Sequence, residues 1–300
     1  MKRETRRTLR TSLTVATLGL VPLLGFSLAI SRSTSSSASN SRNMAGQLDS
    51  QEPRRPRTVY RFVSDATRAA QPVTPLSGYE FEFARLVYAE NPNFSRGWGW
   101  GGARWTTDAP EAEWHLLQGI KRLTRVNAAS EGTALRLDDD AIFDHPFLYA
   151  VEVGGWFLSD EEARRLREYL DRGGFLMVDD FHGTYEWEGF MESMRRVYPD
   201  RPVVDLPVSD EVFHVLYDLM ERPQIPSIYG AMSGRTWERD GYTPQWRGIY
   251  DEKGRLAVVI NFNMDLGDAW EHADEPEYPE PLTALAYRYA INYLIYSMSH

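Results

Sequence analysis

The stretch from Gly173 to Gly183 constrains the fold of this 300-residue chain more than any other. Residues 175–178 are apolar throughout and lie between a glycine pair and ionisable side chains, which predicts a short buried strand. Residues 159–171 predict a helix, because Ser159 and Glu162 have capping-box spacing and the first glycine of the pair sits at a C-cap position. A helix, a glycine turn and a buried strand form one step of an α/β fold with a parallel sheet.

The rest of the chain from residue 79 fits the same class. We predict a mostly parallel sheet flanked by helices, with an added C-terminal hairpin and helix. Asp108 is predicted to cap a helix whose first turn contains Pro110. That helix is predicted to run to about residue 123. Further strands are predicted at 79–88, 134–137, 147–153 and 203–206, further helices at 187–198 and 211–220, a hairpin at 247–263 and a closing helix at 281–298.

The first part of the chain has a different character. Residues 1–30 place a basic segment before an apolar one, which predicts a signal peptide or a membrane anchor. The pair Arg6-Arg7 is compatible with a twin-arginine export signal or with an ordinary basic leader. Residues 31–78 predict a flexible linker, and residues 79–300 a single α/β domain. We therefore expect a periplasmic or otherwise extracytoplasmic domain, anchored to the inner membrane if the leader is retained.

Charge and cysteine content exclude several classes of function. The net charge of the chain is −10. Residues 1–30 hold five basic side chains and one acidic side chain, so the remaining residues are more acidic than the chain as a whole. Nucleic acid is not an expected partner, because phosphate binding needs a positive surface. The chain has no cysteine, which excludes disulfides, thiolate metal sites and a cysteine nucleophile.

Two polar clusters follow apolar strands, and we expect them to meet at one edge of the sheet. Together they form the candidate polar site: Asp179, Asp180, His182 and Glu186 after the first strand, and Asn263, Asp265, Asp268 and His272 after the second. Asp268 and His272 would share one helical face. A divalent metal is a candidate cofactor, because carboxylate oxygens and imidazole nitrogens suit Mg, Mn, Ca or Zn. Its candidate ligands are Asp180, His182, Asp265, Asp268 and His272.

Other interpretations of these clusters remain open. The side chains could pair a general acid with a general base. They could equally cap helices and bond loop backbone, and neither cluster matches an established metal motif. The glycine-tryptophan segment 97–105 predicts either a lid or sugar-stacking surface or a loop that covers the core, but not a phosphate-binding loop.

Many short segments of the chain resemble, in order, the bacterial domain-of-unknown-function family 4159 over residues 79–300. They include 81–86, 145–149, 173–183, 250–255, 263–271 and 285–288. The resemblance implies a flavodoxin-like fold similar to the class I glutamine amidotransferase-like group. It implies no established activity. Amidotransferases use a cysteine nucleophile, so the absence of cysteine here excludes glutamine hydrolysis by that route.

Three functions are compatible with these features. The first is a ligand- or partner-binding module of the cell envelope that recognises a small polar ligand or an envelope protein. The second is a metal-assisted hydrolase acting on a glycan or peptide. The third is a structural component of a membrane complex. The distance between the two polar clusters discriminates among them, because only clusters that converge can share an ion or ligand.

Overall fold

The computed structural model describes residues 78–94 and 103–300. The predicted leader and linker, and most of the glycine-tryptophan segment, lie outside the described residues. Within those two ranges, no helix combines the length and the apolar character needed to cross a bilayer.

The described ranges contain nine strands and six α-helices. The strands are β1 (Ala84–Val87), β2 (Ala89–Glu90), β3 (Thr133–Arg136), β4 (Phe147–Val151), β5 (Trp156–Phe157), β6 (Phe175–Asp179), β7 (Val204–Asp205), β8 (Gln245–Tyr250) and β9 (Leu256–Phe262). The helices are α1 (Glu111–Leu123), α2 (Asp160–Asp171), α3 (Gly183–Val197), α4 (Ile228–Ser233), α5 (Leu266–Glu271) and α6 (Glu280–Ser299).

Seven strands form one mixed sheet in the order β3-β1-β4-β6-β9-β8-β7. The first five run parallel, with Tyr149 opposite Met177 and Met177 opposite Val259. Strand β8 is antiparallel to both of its neighbours, β9 and β7. The predicted mostly parallel α/β sheet and its C-terminal hairpin are confirmed, and the carboxyl ends of β4, β6 and β9 lie side by side.

Helices cover both faces of the sheet, which explains why its central strands are apolar throughout. Alternate residues of β4 face opposite cores: Tyr149 packs with α1 and α6, and Leu148 with α2 and α3. All five residues of β6 are buried. The predicted capping box of α2 is present between Ser159 and Glu162, and Gly173 adopts φ +110° after the helix. A non-glycine residue would be strained there.

Two helix predictions are corrected. Residues 211–220 are not a helix: only Glu211–Phe213 form a 3₁₀ turn. The backbone after this turn bonds the Asn292 side chain of α6 instead. Asn292 accepts from Tyr217 N–H (2.9 Å) and donates to Tyr217 C=O (2.9 Å). Helix α3 begins at Gly183 rather than at residue 187, because side chains from other segments satisfy its first N–H groups (Asn263 bonds Gly183 at 2.9 Å).

Candidate functional site

Asp179, the last residue of β6, is fully buried and fixes the start of α5. Its Oδ2 accepts hydrogen bonds from the N–H groups of Leu266 (2.8 Å) and Gly267 (3.0 Å). The Tyr149 hydroxyl donates to the same oxygen at 3.3 Å. Burial raises the pKa of Asp179 to about 7, although these donors favour the charged form. The predicted convergence of the two polar clusters is therefore observed, and Asp179 joins them.

Asp265 and Asp268 lie at the first turn of α5. Asp265 caps the helix, since its Oδ1 accepts from the N–H of Asp268 at 2.8 Å. Asp268 Oδ2 accepts from the N–H of Ile228 at 2.7 Å. Burial raises the pKa of both carboxyls, and the charges of Asp180 and Asp268 raise that of Asp265 further. Each carboxyl thus commits one oxygen to backbone in a region of negative charge.

Asp108 lies beside Asp265 and Asp268. The prediction that it caps α1 was wrong. The N-cap of α1 is Pro110, and Asp108 adopts φ +62° with its carboxyl turned toward α5. A side chain at Gly267 would collide with Asp108 Oδ2, so glycine is required at that position. This Oδ2 is buried without a hydrogen-bond partner in the described part of the chain. The loop after β1 therefore delivers a third carboxylate to the same place.

Arg85 holds the loop that carries Asp108. This buried guanidinium donates to the backbone carbonyls of Trp105 (3.1 Å) and Thr107 (2.8 Å) and pairs with buried Glu113. Burial and the charge of Asp268 raise the pKa of Asp108 well above its usual range, and the Arg85 charge offsets this only in part. Arg85 therefore positions the loop that carries Asp108 and partly offsets the negative charge there.

Two groups of side chains have the spacing of metal ligands. Potential ligand atoms of Asp108, Asp265 and Asp268 lie within 4.8 Å of one another, as do those of Asp268, Glu271 and His272. Asp268 belongs to both. His272 follows α5 as its C-cap, with Nε2 3.7 Å from Asp268 Oδ1. We call these five residues the acidic cluster. Its carboxylate oxygens and imidazole nitrogen suit a divalent cation.

Asp180 and His182 form a separate pair beside the acidic cluster. Asp180 adopts φ +51°, and its Oδ1 lies 3.1 Å from His182 Nε2. Burial lowers the pKa of His182, which favours the neutral ring, and its Nδ1 has no partner among the described side chains. Burial and the charge of Glu152 raise the pKa of Asp180. Both residues were predicted metal ligands, but neither falls within the two ligand groups.

Glu186 belongs to a network of buried charges at the ends of β4 and β6. Its Oε2 accepts from the N–H of His182 at 2.7 Å, and its Oε1 lies 2.6 Å from Arg239. Arg104 lies 2.8 Å from Glu152 and 3.6 Å from Glu186. Burial and the nearby Glu186 charge raise the pKa of Glu152 to about 8, against the effect of Arg104. Glu152 is therefore largely protonated at neutral pH.

Asn263 has a structural position among the predicted site residues. It adopts φ +62°, accepts from Gly183 N–H at 2.9 Å and donates to Thr243 C=O at 2.8 Å. Both ends of its side-chain amide are thereby used in joining β9 to α3 and to the loop before β8. Asn263 supports the site and has little capacity left for a ligand.

Sequence reasoning missed three charged residues of this edge. Glu152 follows the apolar strand β4, so the rule that found the other clusters also applies to it. Glu271 lies between two predicted residues on α5. Asp108 had no such signal, because it comes from a loop and resembled a helix cap. The structure thus adds Asp108, Glu152 and Glu271 to this edge and joins the two predicted clusters through Asp179.

The fold and the site define a mixed α/β domain with buried carboxylates at the carboxyl edge of its parallel strands. The chain belongs to the family described as domain of unknown function DUF4159, whose model matches residues 82–298. No curated protein matches this chain.

The anchoring role of Asp179 predicts a large loss of stability on truncation. Asp179→Ala leaves two buried N–H groups of α5 without their acceptor, so the free energy of unfolding should fall by about 2–4 kcal/mol. Asp179→Asn keeps an acceptor oxygen and should lose less than half as much. Denaturant unfolding of the full chain at neutral pH measures both. A loss below about 1 kcal/mol in the alanine variant would contradict the anchoring role.

Glu152 predicts a specific pH dependence of stability. Its pKa in the folded protein, about 8, lies above its ordinary value of 4.5. Between these values the folded state holds a proton that the unfolded state releases. Stability should therefore fall as pH rises through this window, by up to about 1.4 kcal/mol per pH unit for one group. Glu152→Gln does not titrate, so its stability should fall less steeply.

Unfolding curves of the wild type and of Glu152→Gln at several pH values within that window test this expectation. Glu188→Gln removes an exposed carboxyl and serves as the control for the change in net charge (the Glu188 side chain is 56% exposed). Parallel pH dependence in the wild type and Glu152→Gln would show that Glu152 does not hold the extra proton.

Proposed function

We propose that this domain binds a divalent cation at the acidic cluster and acts as a binding module rather than as an amidotransferase. The observation that carries the proposal is that Asp108, from the segment before α1, lies within ligand spacing of Asp265 and Asp268 at the first turn of α5. The buried Oδ2 of Asp108, which no described side chain or backbone group bonds, points in the same direction.

Electrostatics supports a cation at this place. Neighbouring buried carboxylates raise one another's pKa because a second negative charge is costly in a poorly solvated site. Arg85, a buried cation that lowers the pKa of Asp108, pairs with Glu113 and bonds two backbone carbonyls. A divalent ion supplies the missing positive charge directly. Because oxygens outnumber nitrogen in the ligand set, Mg²⁺, Mn²⁺ and Ca²⁺ are favoured over softer ions.

The fold supports a place for the domain in the flavodoxin-like, glutamine amidotransferase-like group. Numbered along the chain, the five parallel strands have the order 2-1-3-4-5, which is the order of flavodoxin-like sheets. In such sheets the ligand site lies where the strand order reverses, here between β1 and β4. Glu152 directly follows β4, and Asp108 lies further along the connection from β1 to α1. The absence of cysteine separates this chain from the amidotransferases that use that nucleophile.

We also propose that the domain works in the cell envelope, where its ligand or partner proteins would be found. The basic and apolar residues of segment 1–30 support export or anchoring. Cell fractionation of the tagged full chain tests this: recovery in the cytosol alone would exclude it.

Cation binding predicts metal-dependent stabilisation of the full chain. Saturating Mg²⁺ or Mn²⁺ should raise the melting temperature, since a ligand at 100 times its Kd stabilises by about 2.7 kcal/mol. The Asp265→Asn/Asp268→Asn double variant keeps the oxygen acceptors that bond Asp268 N–H and Ile228 N–H but removes two charges. It should lose the metal-induced rise.

The matched control is Asp251→Asn, which alters a buried carboxyl in the β8–β9 turn at the opposite edge of the sheet (side chain 7% exposed). This variant should keep the metal-induced rise even if it melts at a lower temperature. Wild-type protein whose melting is unchanged by Mg²⁺, Mn²⁺ and Ca²⁺ would overturn the cation proposal.

The Asp180–His182 pair favours metal-assisted hydrolysis as a second candidate function. Asp180 would hold the Nε2–H tautomer, leaving Nδ1 of His182 to accept a proton from an attacking water. Metal-dependent cleavage of chromogenic glycosides or peptide anilides should then fall about 10²–10⁴-fold in His182→Gln, with the thermal effect of the cation retained. Absence of metal-dependent cleavage of both substrate types would reject the hydrolase and leave the binding proposal.

A further inference from the structure

An open cleft of about 380 Å³ lies beside the amino end of α3. Its size falls within the range of small-molecule sites in proteins. The lining residues that matter here are Thr184, Trp187, Asp240, Tyr242, Gln245 and Arg247. None of the five acidic-cluster residues lines it, so the cleft is distinct from the proposed cation site.

The cleft offers hydrogen-bond donors and acceptors close together. Asp240 accepts from the N–H (2.9 Å) and the hydroxyl (2.6 Å) of Thr184, which fixes its carboxylate at the rim. Gln245 Oε1 is a buried acceptor without a partner in the described ranges. A buried acceptor of this kind is costly unless a ligand or water donates to it. Since Gln245 lines the cleft, a shift of its amide would present this acceptor to a ligand hydroxyl or amide donor.

The charges of the cleft nearly balance, which argues against a strongly charged ligand. Arg247 brings the positive charge, but its Nε bonds Asp205 at 2.9 Å and its guanidinium lies 4.4 Å from the Trp187 ring centre. Asp240 brings a negative charge. A phosphate would need several free donors, and an acidic ligand would meet Asp240. A neutral polar ligand fits this balance better.

Aromatic side chains form one side of the rim. Tyr242 is 66% exposed and lies 5.9 Å from the ring of Trp237, which is itself 37% exposed. The Trp187 ring is already in contact with the Arg247 guanidinium and with the Phe181 and Phe262 rings. Tyr242 is thus the exposed ring of the cleft. Such a ring combines an apolar face with a polar tip.

We propose that this cleft binds a short pyranose saccharide. Sugar hydroxyls both donate and accept, which matches Gln245, Asp240 and Thr184, and the C–H face of a pyranose can pack on Tyr242. The proposal goes beyond cation binding and does not depend on it, because the two sites share no residue.

Calorimetric titration of the full chain with cellotriose, maltotriose and chitotriose tests the proposal. We expect saturable binding of at least one trisaccharide, with and without EDTA. Tyr242→Ala should weaken that binding about tenfold, since it removes the exposed ring, and Gln245→Ala should weaken it by a similar factor. Tyr229→Ala removes another exposed tyrosine (74%) outside the cleft and should bind like the wild type.

Three results would overturn the saccharide proposal: no saturable binding of any trisaccharide, unchanged binding in both cleft variants, or saturable binding of trialanine in place of the sugars. Melting curves of each variant verify folding, and Tyr242 is exposed enough to be removed without disturbing the core. Saccharide binding in EDTA combined with no cation effect would reject the cation site alone.

Discussion

The hydrogen bonds from α5 to Asp179 hold the two halves of the candidate site together. A buried carboxylate at the end of β6 receives the first N–H groups of a helix that follows β9. Helix N-termini favour negative charge, so these hydrogen bonds stabilise both α5 and the buried carboxylate of Asp179. The positions of Asp265 and Asp268 follow from it, because both lie on the turn that Asp179 fixes. The N–H of Ile228, which bonds Asp268, also holds the same turn.

The charges at this edge fall into two neighbouring sets with different degrees of compensation. Around Glu152 and Glu186, two arginines lie within ion-pair distance of the carboxylates. The second set is formed by Asp108, Asp265 and Asp268. The buried Arg85 guanidinium, which acts on the Asp108 carboxyl, pairs with Glu113 and bonds backbone carbonyls. The second set therefore has the greater demand for an external positive charge. This difference between adjacent sets, rather than the number of acids, favours cation binding.

Local sequence rules predicted the central part of the fold well. Apolar strands β4, β6 and β9 and the capped helix α2 follow from periodicity and turn residues, and the carboxyl-edge rule placed both polar clusters together. The failures arose where distant side chains replace local hydrogen bonding. Asn292 bonds the backbone near Tyr217 and so prevents a helix there. Asp108 has the sequence context of a cap, but Arg85 holds its loop so that the carboxyl faces α5.

The segment 224–243 between β7 and β8 contacts every part of this edge. Ile228 N–H bonds Asp268, Arg239 pairs with Glu186, and Asp240 bonds Thr184 at the cleft. None of these three residues belongs to a strand. The segment therefore packs against the end of the sheet without being part of it. Ile225 and Ile228 of the same segment are buried in the core. A substitution in this segment would therefore disturb the packing of the fold and the neighbouring polar side chains together.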